Sequence, residues 1–423
     1  MTLRRMRGLW HSLTHRGVRA TLLRAWRFLI DRAGTGTGQA SLQPSPVPLA
    51  GNSSWILVLD ALMPDPTRDS GSVRMHEILT LIHELGWSVA FAPDSGRATE
   101  SEKNAMVEAG IAVIGVAGTP SLPDWLEAHG DSLAAAMFCR HEVASAHIDL
   151  VRAAAPGARV LFDTVDLHSL REERTARLSG DRALLRRARR SWRVERDLAA
   201  RSDVTFVVSP VEQELLQAEL PDARIELLSN IHSVAGTSMP FDGRHGVLFV
   251  GGFAHPPNRD AAYWLVEEIL PLIHRHSPGM PLHLVGAIPD HERDALQREH
   301  VHIHGQVADL APWMDQCLLA AAPLRSGAGV KGKVNSAMSH GLPVVATHMA
   351  AEGMHLEDGH DVLLADTAEQ FAACVARLAR EPLLWARLSA NGQDNIQRHF
   401  SRQCARRALQ SALPPLPPRS TSH

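Results

Sequence analysis

The chain has only four cysteines in 423 residues, Cys139, Cys317, Cys374 and Cys404, widely scattered and without a CxxC pair. That spacing argues against a disulfide framework and a zinc-binding fold, and it suits a reducing cytoplasm. No apolar run reaches the roughly 18 residues needed to cross a bilayer. The N-terminus does not read as a secretory signal, because arginines interrupt each of its apolar stretches. Charge of one sign is also lacking: the net charge of -3 argues against a general polyanion binder, and no nucleic-acid partner is expected. No short-period repeat is present.

With 423 residues and 45% apolar side chains, the chain suits a soluble protein of two domains. Its balanced charge conceals an asymmetry. Residues 1–33 carry eight arginines against the single acid Asp31, a +7 segment that leaves about -10 for the rest. Residues 16–32 read as a basic amphipathic helix that can lie on an anionic membrane surface, placing the protein on the inner face of a plasma membrane. A helix packed on its own protein is the plainer reading. The Gly/Ser/Pro-rich stretch 34–54 is a linker, and residues 1–54 form one unit.

Apolar runs then alternate with helical patterns. WILVLDALMP (55–64) reads as a buried strand, followed by a loop and a helix with Ile78, Leu79, Ile82 and Leu85 on one face. A second opening strand, GVLFVGGF (246–253), begins another such series after a turn-rich segment. Strands alternating with helices predict parallel, doubly wound sheets. The expected units are a first domain over 55–235, a second over 236–382, helices over 383–413 and a proline-rich disordered tail over 414–423.

Ligands of such sheets bind beyond the carboxyl ends of the strands, so the loops that follow strands carry the candidates. Gly71 and Ser72 stand before the first helix, where backbone amides and the helix dipole attract phosphate. After VLFD (160–163), Asp166, His168 and Arg171 form a cluster able to meet sugar hydroxyls or phosphate. Gly251 and Gly252 precede a helix that Asn258 can cap. The loop RSGAGVKGKVN (325–335) gives the strongest signal: Gly327 and Gly329 free the backbone, and Arg325, Lys331 and Lys333 supply cations. No Ser or Thr follows Lys333, so this is not a Walker loop. Glu352 follows the strand PVVAT and can accept hydrogen bonds from hydroxyls. The arginine-rich helix near 182–201 reads as a solvated face or as a contact for an anionic partner.

FVGGFAHPPNRDAAYWLVEEILPLI, PLRSGAGVKGKVNSAMSHGLPVVAT and EGM, with DTVDLHSLREER and DSGSVRMHEILTLIHELGWSV before them, resemble the family 4 (group 1) glycosyltransferases over residues 55–405. The resemblance implies a GT-B architecture, two Rossmann-like domains facing across a cleft. It implies a nucleotide-sugar donor on the second domain and a glycan or lipid-linked acceptor approached from the first. Transfer would retain the anomeric configuration, without a cofactor or bound metal, in cell-surface polysaccharide synthesis. On the matching positions, His168 lies near the transferred sugar, while Lys331 and Lys333 face the diphosphate as the principal catalytic groups. Gly71, Ser72, Gly251, Gly252, Asn258, Arg325, Gly327, Gly329, Ser336 and Glu352 surround the donor, and Asp166 and Arg171 lie on the acceptor side. Two departures stand out. Ser336 occupies the place of a ribose-binding glutamate, and Phe253 and Ala254 fall where many relatives have an arginine. A sugar-nucleotide epimerase shares the architecture, and a non-catalytic nucleotide-sugar-binding protein is the reading from another class.

Overall fold

A strand that is apolar on both faces must be covered on both faces, and a parallel sheet wrapped by helices does this. The computed structural model describes residues 54–65 and 69–416. The basic segment 1–33, nearly all of the linker and most of the proline-rich tail lie outside the described residues. In the first domain, β1 (Trp55–Asp60), β2 (Ser88–Pro93), β3 (Ile111–Val113), β4 (Leu133–Cys139), β5 (Arg159–Asp163), β6 (Val204–Val207) and β7 (Ile225–Leu227) form one sheet in the order β3-β2-β1-β4-β5-β6-β7. All neighbours pair in parallel, and every residue of β1 is buried. The strand order reverses between β1 and β4, which opens a crevice at their carboxyl ends.

The second sheet repeats the plan. Its strands β8 (Val247–Val250), β9 (Leu282–Val285), β10 (Val301–Gly305), β11 (Leu319–Ala322), β12 (Val344–Ala346) and β13 (Leu363–Leu364) run in the order β10-β9-β8-β11-β12-β13, again parallel. The reversal lies between β8 and β11. The two glycine-bearing loops of this domain leave those two strands, so they meet at the crevice. The whole arrangement is two doubly wound Rossmann-like domains, as the alternation of strand and helix patterns predicts.

The chain returns to the first domain at its end, but later than residue 383. The helix Pro382–Asn395 stays on the second domain, where Leu384, Trp385 and Leu388 join the core and Trp385 Nε1 donates to the Leu318 carbonyl at 2.7 Å. The crossing comes at Ser401, which caps the helix Arg402–Ala412. Ala405, Leu409 and Ala412 of that helix enter the first domain's core. Arg402 bonds Glu77 at 2.6 Å and Glu84 at 3.0 Å on the helix Ser70–Glu84. Apolar patterning decides the boundary: the segment stays with whichever sheet its buried stripe faces.

Candidate active site

The second domain's half of the site is built where β8 ends. Asn258, on the helix Pro256–Trp264, donates from Nδ2 to the Gly252 carbonyl at 3.0 Å and accepts from Lys333 Nζ at 2.7 Å. The Lys333 ammonium also sits 4.5 Å over the ring of Phe249. Gly251 makes room for this group. A Cβ there would lie 2.8 Å from Asn258 Cγ and 2.9 Å from Lys333 Nζ, closer than atoms can pack. Lys331, buried, precedes the helix Gly332–Ser339 and donates to the Gly329 carbonyl at 2.6 Å. Burial pulls the Lys331 ammonium down to about 8. Burial and the neighbouring Lys331 charge pull Lys333 down to about 7. Among the described residues, no carboxylate lies within ion-pair distance of either lysine. Two lysines at a helix start, held by neutral oxygens and one ring face, are an arrangement that can receive a multivalent anion.

The first domain's half follows β5. Asp163 ends that strand and forms a bidentate pair with the buried Arg74, at 2.6 and 3.0 Å. Val165 then takes φ 63°, rare for a β-branched residue, and turns Asp166 toward the cleft. Asp166 accepts from Arg171 at 2.5 Å and stands 3.2 Å from His168 Nε2. His168 Nδ1 lies 3.5 Å from Glu142 Oε1. Burial alone would lower the His168 pKa, but the two carboxylates override it and hold the imidazolium up at about 9. Burial likewise opposes the charge of Glu142, yet His168 holds that carboxyl down at about 2. The Asp166–His168 contact is near in distance but not aligned as a hydrogen bond, so the Nε2 proton is not committed to Asp166.

Two buried carboxylates that sequence reasoning missed fix this turn. Glu195 accepts from the backbone amides of His168 at 2.7 Å and Ser169 at 3.3 Å, satisfying the start of the helix His168–Ser179. Glu212 accepts from Leu167 N and Val208 N, both at 3.1 Å. Burial raises each of these carboxyls to about 7. Glu195 lies inside the arginine-rich pattern and gives no local signal. Glu212 stands three residues after Ser209, a spacing that reads as an ordinary helix cap, and Ser209 does cap the helix Pro210–Glu219.

Loops from the two domains touch. Gly329 has φ 66°, and a Cβ there would lie 3.3 Å from Asp166 Cβ and 3.7 Å from Glu212 Oε1. Gly332 packs on Ser70, at the start of the helix that holds Gly71 and Ser72. Arg174 bridges the domains: it grips Glu352 through two bonds of 2.6 and 2.9 Å and donates to the Gly327 carbonyl at 2.9 Å. Gly71 and Ser72 themselves line a cavity of about 300 Å³ with Asp60, Asp69 and Arg140. Arg140, directly after β4, takes φ 71° and pairs with Asp60 at 3.0 Å. Sequence reasoning passed over Arg140 because nothing in its neighbourhood marks it.

Lys331, Lys333, Gly251, Asn258, Gly327 and Gly329 therefore gather on one side of the contact, and Asp166, His168 and Arg171 on the other. Gly252 contributes the carbonyl held by Asn258. Arg325 is turned elsewhere: it forms a bidentate pair with Asp260 at 2.9 and 2.5 Å and lies 5.1 Å over the Trp264 ring. Arg259 likewise pairs with Glu292 at 2.6 Å. Ser336 is half-buried on the helix behind the lysines, its carbonyl accepting from Ser339 Oγ at 2.8 Å. His255 stands near Arg171 and Lys333, and partial desolvation of its ring together with those two charges lowers its pKa. Among the described residues one set of side chains has metal-like spacing: ligand atoms of His141, Glu142 and His168 lie within 4.8 Å of one another. Both ring nitrogens of His168 already face carboxylates there, so an imidazolium ion pair accounts for the cluster. No helix among the described residues is long and apolar enough to cross a membrane.

Comparison with known proteins agrees with this fold. The family described as Glycosyl transferases group 1 matches residues 244–381. A Klebsiella pneumoniae protein of 44.6 kDa in the cps region is 23% identical over 164 residues, 36% of this chain; the match spans only 42% of that protein's length. Among solved structures, Anabaena HepE in complex with UDP and glucose superposes with a TM-score of 0.61 at 15% identity, covering 85% of this chain and 98% of HepE. Sucrose-phosphate synthase from Thermosynechococcus elongatus gives 0.63 at 15% identity, with 85% and 98% covered. The chain thus has the GT-B fold, and its residues 244–381 match the family described as Glycosyl transferases group 1.

Proposed function

We propose that the protein transfers a sugar from a nucleoside-diphosphate donor to a glycan or lipid-linked acceptor, with retention of configuration. The observation that carries this reading is the pair Lys331 and Lys333, two desolvated lysines at a helix N-terminus with no carboxylate in ion-pair contact among the described residues. A buried charge lacking a partner is costly, and a diphosphate relieves two of them at once. As the glycosidic bond to the diphosphate breaks, negative charge grows on the leaving oxygen beside Lys333. One well-placed donor of this kind contributes about 3 to 4 kcal/mol to a transition state.

In this reading Gly71 and Ser72 meet the phosphates from the first domain, and the His168 imidazolium hydrogen-bonds the transferred sugar. No side chain needs to act as nucleophile, since the β-phosphate oxygen can take the acceptor's proton on the same face. The lysines supply the charge a metal would otherwise bring, so activity is expected to persist in chelator. Glu352 meets the donor's hydroxyls once Arg174 releases it. HepE, crystallised with UDP and glucose, supports a uridine donor as the first to try. The protein in the Klebsiella cps region supports a place in surface polysaccharide synthesis.

A thermal-shift screen of UDP, GDP, ADP and TDP, followed by turnover assays with the matching nucleotide sugars, tests the proposal. A ligand at about 100 times its Kd should stabilise the protein by roughly 2.7 kcal/mol. No stabilisation by any of the four would remove the donor-site assignment. Binding without nucleotide release in the presence of acceptors would instead favour a non-catalytic binding protein, the reading that Ser336 supports.

A further inference from the structure

The arginine-rich helix Arg182–Arg201 supports the site through Glu195, and its outer face lines a groove on the first domain. It runs antiparallel to His168–Ser179. Glu195 near its end bonds Ser169 at the start of the other helix, and Ser191 bonds Glu172 at 2.8 Å. Leu185, Ala188, Arg189, Trp192, Arg193 and Arg196 follow the i, i+3, i+4, i+7, i+8, i+11 spacing of a single helix face. With Leu170 and Arg177 from the neighbouring helix and Leu215 from Pro210–Glu219, this face lines a groove of about 540 Å³. Its floor is apolar and its rim is cationic.

The charge is poorly neutralised from within. Arg177 is held by Glu173 at 2.6 Å, and Arg196 reaches Glu219 at 3.4 Å. Arg186, Arg189, Arg190 and Arg193 are exposed and make no ion pair among the described residues. Large apolar groups stand in solvent beside them: Leu215, in the groove, is 40% exposed, and Leu178, next to Arg177, is 63% exposed. A surface that offers arginines together with exposed leucines and a half-buried tryptophan suits neither bulk water nor the phosphate backbone of a nucleic acid. It matches an interface whose outer layer is anionic and whose inner layer is hydrocarbon.

We propose that this groove docks the folded first domain onto a bilayer carrying anionic phospholipid, with the arginines on lipid phosphates and an acyl chain against Leu170, Trp192 and Leu215. The proposal does not depend on the glycosyltransferase reading. The groove begins at Ser169, so docking places the chain segment bearing His168 beside the membrane surface.

Flotation of the full chain with two kinds of vesicle tests it: phosphatidylcholine alone, and phosphatidylcholine with about one-third phosphatidylglycerol. Wild type should float with the anionic vesicles and not with the neutral ones. The triple variant Arg186→Glu, Arg189→Glu, Arg193→Glu changes only exposed side chains. It should lose at least about 100-fold in vesicle affinity, since each arginine contributes roughly fivefold near such a surface. Leu215→Asp should lose affinity while leaving every arginine in place, which separates chain insertion from charge alone. Unchanged thermal melting of the variants, with and without UDP, shows that they remain folded. Equal flotation of triple variant and wild type would overturn the proposal, because residues 1–33 alone would then account for binding. It would equally fall if wild type ignored both vesicles, or if it bound duplex DNA as tightly as anionic vesicles and Leu215→Asp changed neither.

Discussion

The two domains treat their charges in opposite ways. At the strand ends of the first domain, cations are matched by acids: Arg74 with Asp163, Arg140 with Asp60, Arg171 with Asp166, and His168 with Asp166 and Glu142. At the equivalent crevice of the second domain, Lys331 and Lys333 rest on backbone and amide oxygens instead. The first arrangement is complete in the free protein. The second leaves both lysines without a carboxylate partner among the described residues, a gap that the donor diphosphate would fill in the function proposed above. A matched pair orders the chain, whereas an unmatched buried cation stores binding energy for a ligand, because desolvation has already been met before the ligand arrives.

Breaking a pair in the first domain should give the largest effect. Asp163→Ala leaves the Arg74 guanidinium buried without its partner and should cost about 3 to 5 kcal/mol, read as a drop in urea midpoint. Next comes Lys333→Met. Turnover should fall by about 3 to 4 kcal/mol, a factor of some hundreds, while the melting temperature rises rather than falls. A melting temperature that drops as far as in Asp163→Ala would erase the contrast between the domains. Gly251→Ala comes third: its Cβ displaces the Lys333–Asn258 contact and should weaken UDP binding about tenfold, near 1.4 kcal/mol, in a titration calorimeter.

The domains should also part with pH. Lys333 and Lys331, lowered to about 7 and 8, lose their protons as pH rises, so UDP affinity should fall between about pH 7 and 9. His168 is raised to about 9. The stability its ion pairs contribute is full below the unfolded value near 6.5 and is lost as pH rises through about 9. Melting curves of wild type and His168→Gln should therefore converge above that pH. The smallest effect belongs to Arg174→Ala. Its partly exposed bridge to Glu352 is worth about 1 kcal/mol or less, and its loss should leave UDP affinity unchanged or slightly improved, as seen by thermal shift.

Much of the fold was legible because strand and helix periods are local properties. The buried run WILVLD and the helical stripe of Ile78, Leu79 and Ile82 needed no tertiary information. β7, three residues at a sheet edge, escaped because so short a segment carries too little pattern. The loop bearing Lys331 and Lys333 was legible through its glycines and lysines, which are chemically conspicuous. Glu195 and Glu212 were not, since a buried carboxylate looks in sequence like any surface acid. Arg325 is the converse case. It sits in the same loop as the lysines, but Asp260 lies close enough in space to pair with it.

The sequence by itself determined two parallel α/β domains and the loops that carry cations, because hydrophobic period and glycine content act over a few residues. Which cations stay unpaired was decided only by tertiary structure. Ion pairing depends on distances between residues far apart in the chain, such as Arg174 with Glu352, Arg74 with Asp163 and Lys333 with Asn258. Those distances exist only once both sheets have formed and the helix after Ser401 has tied the second domain back to the first.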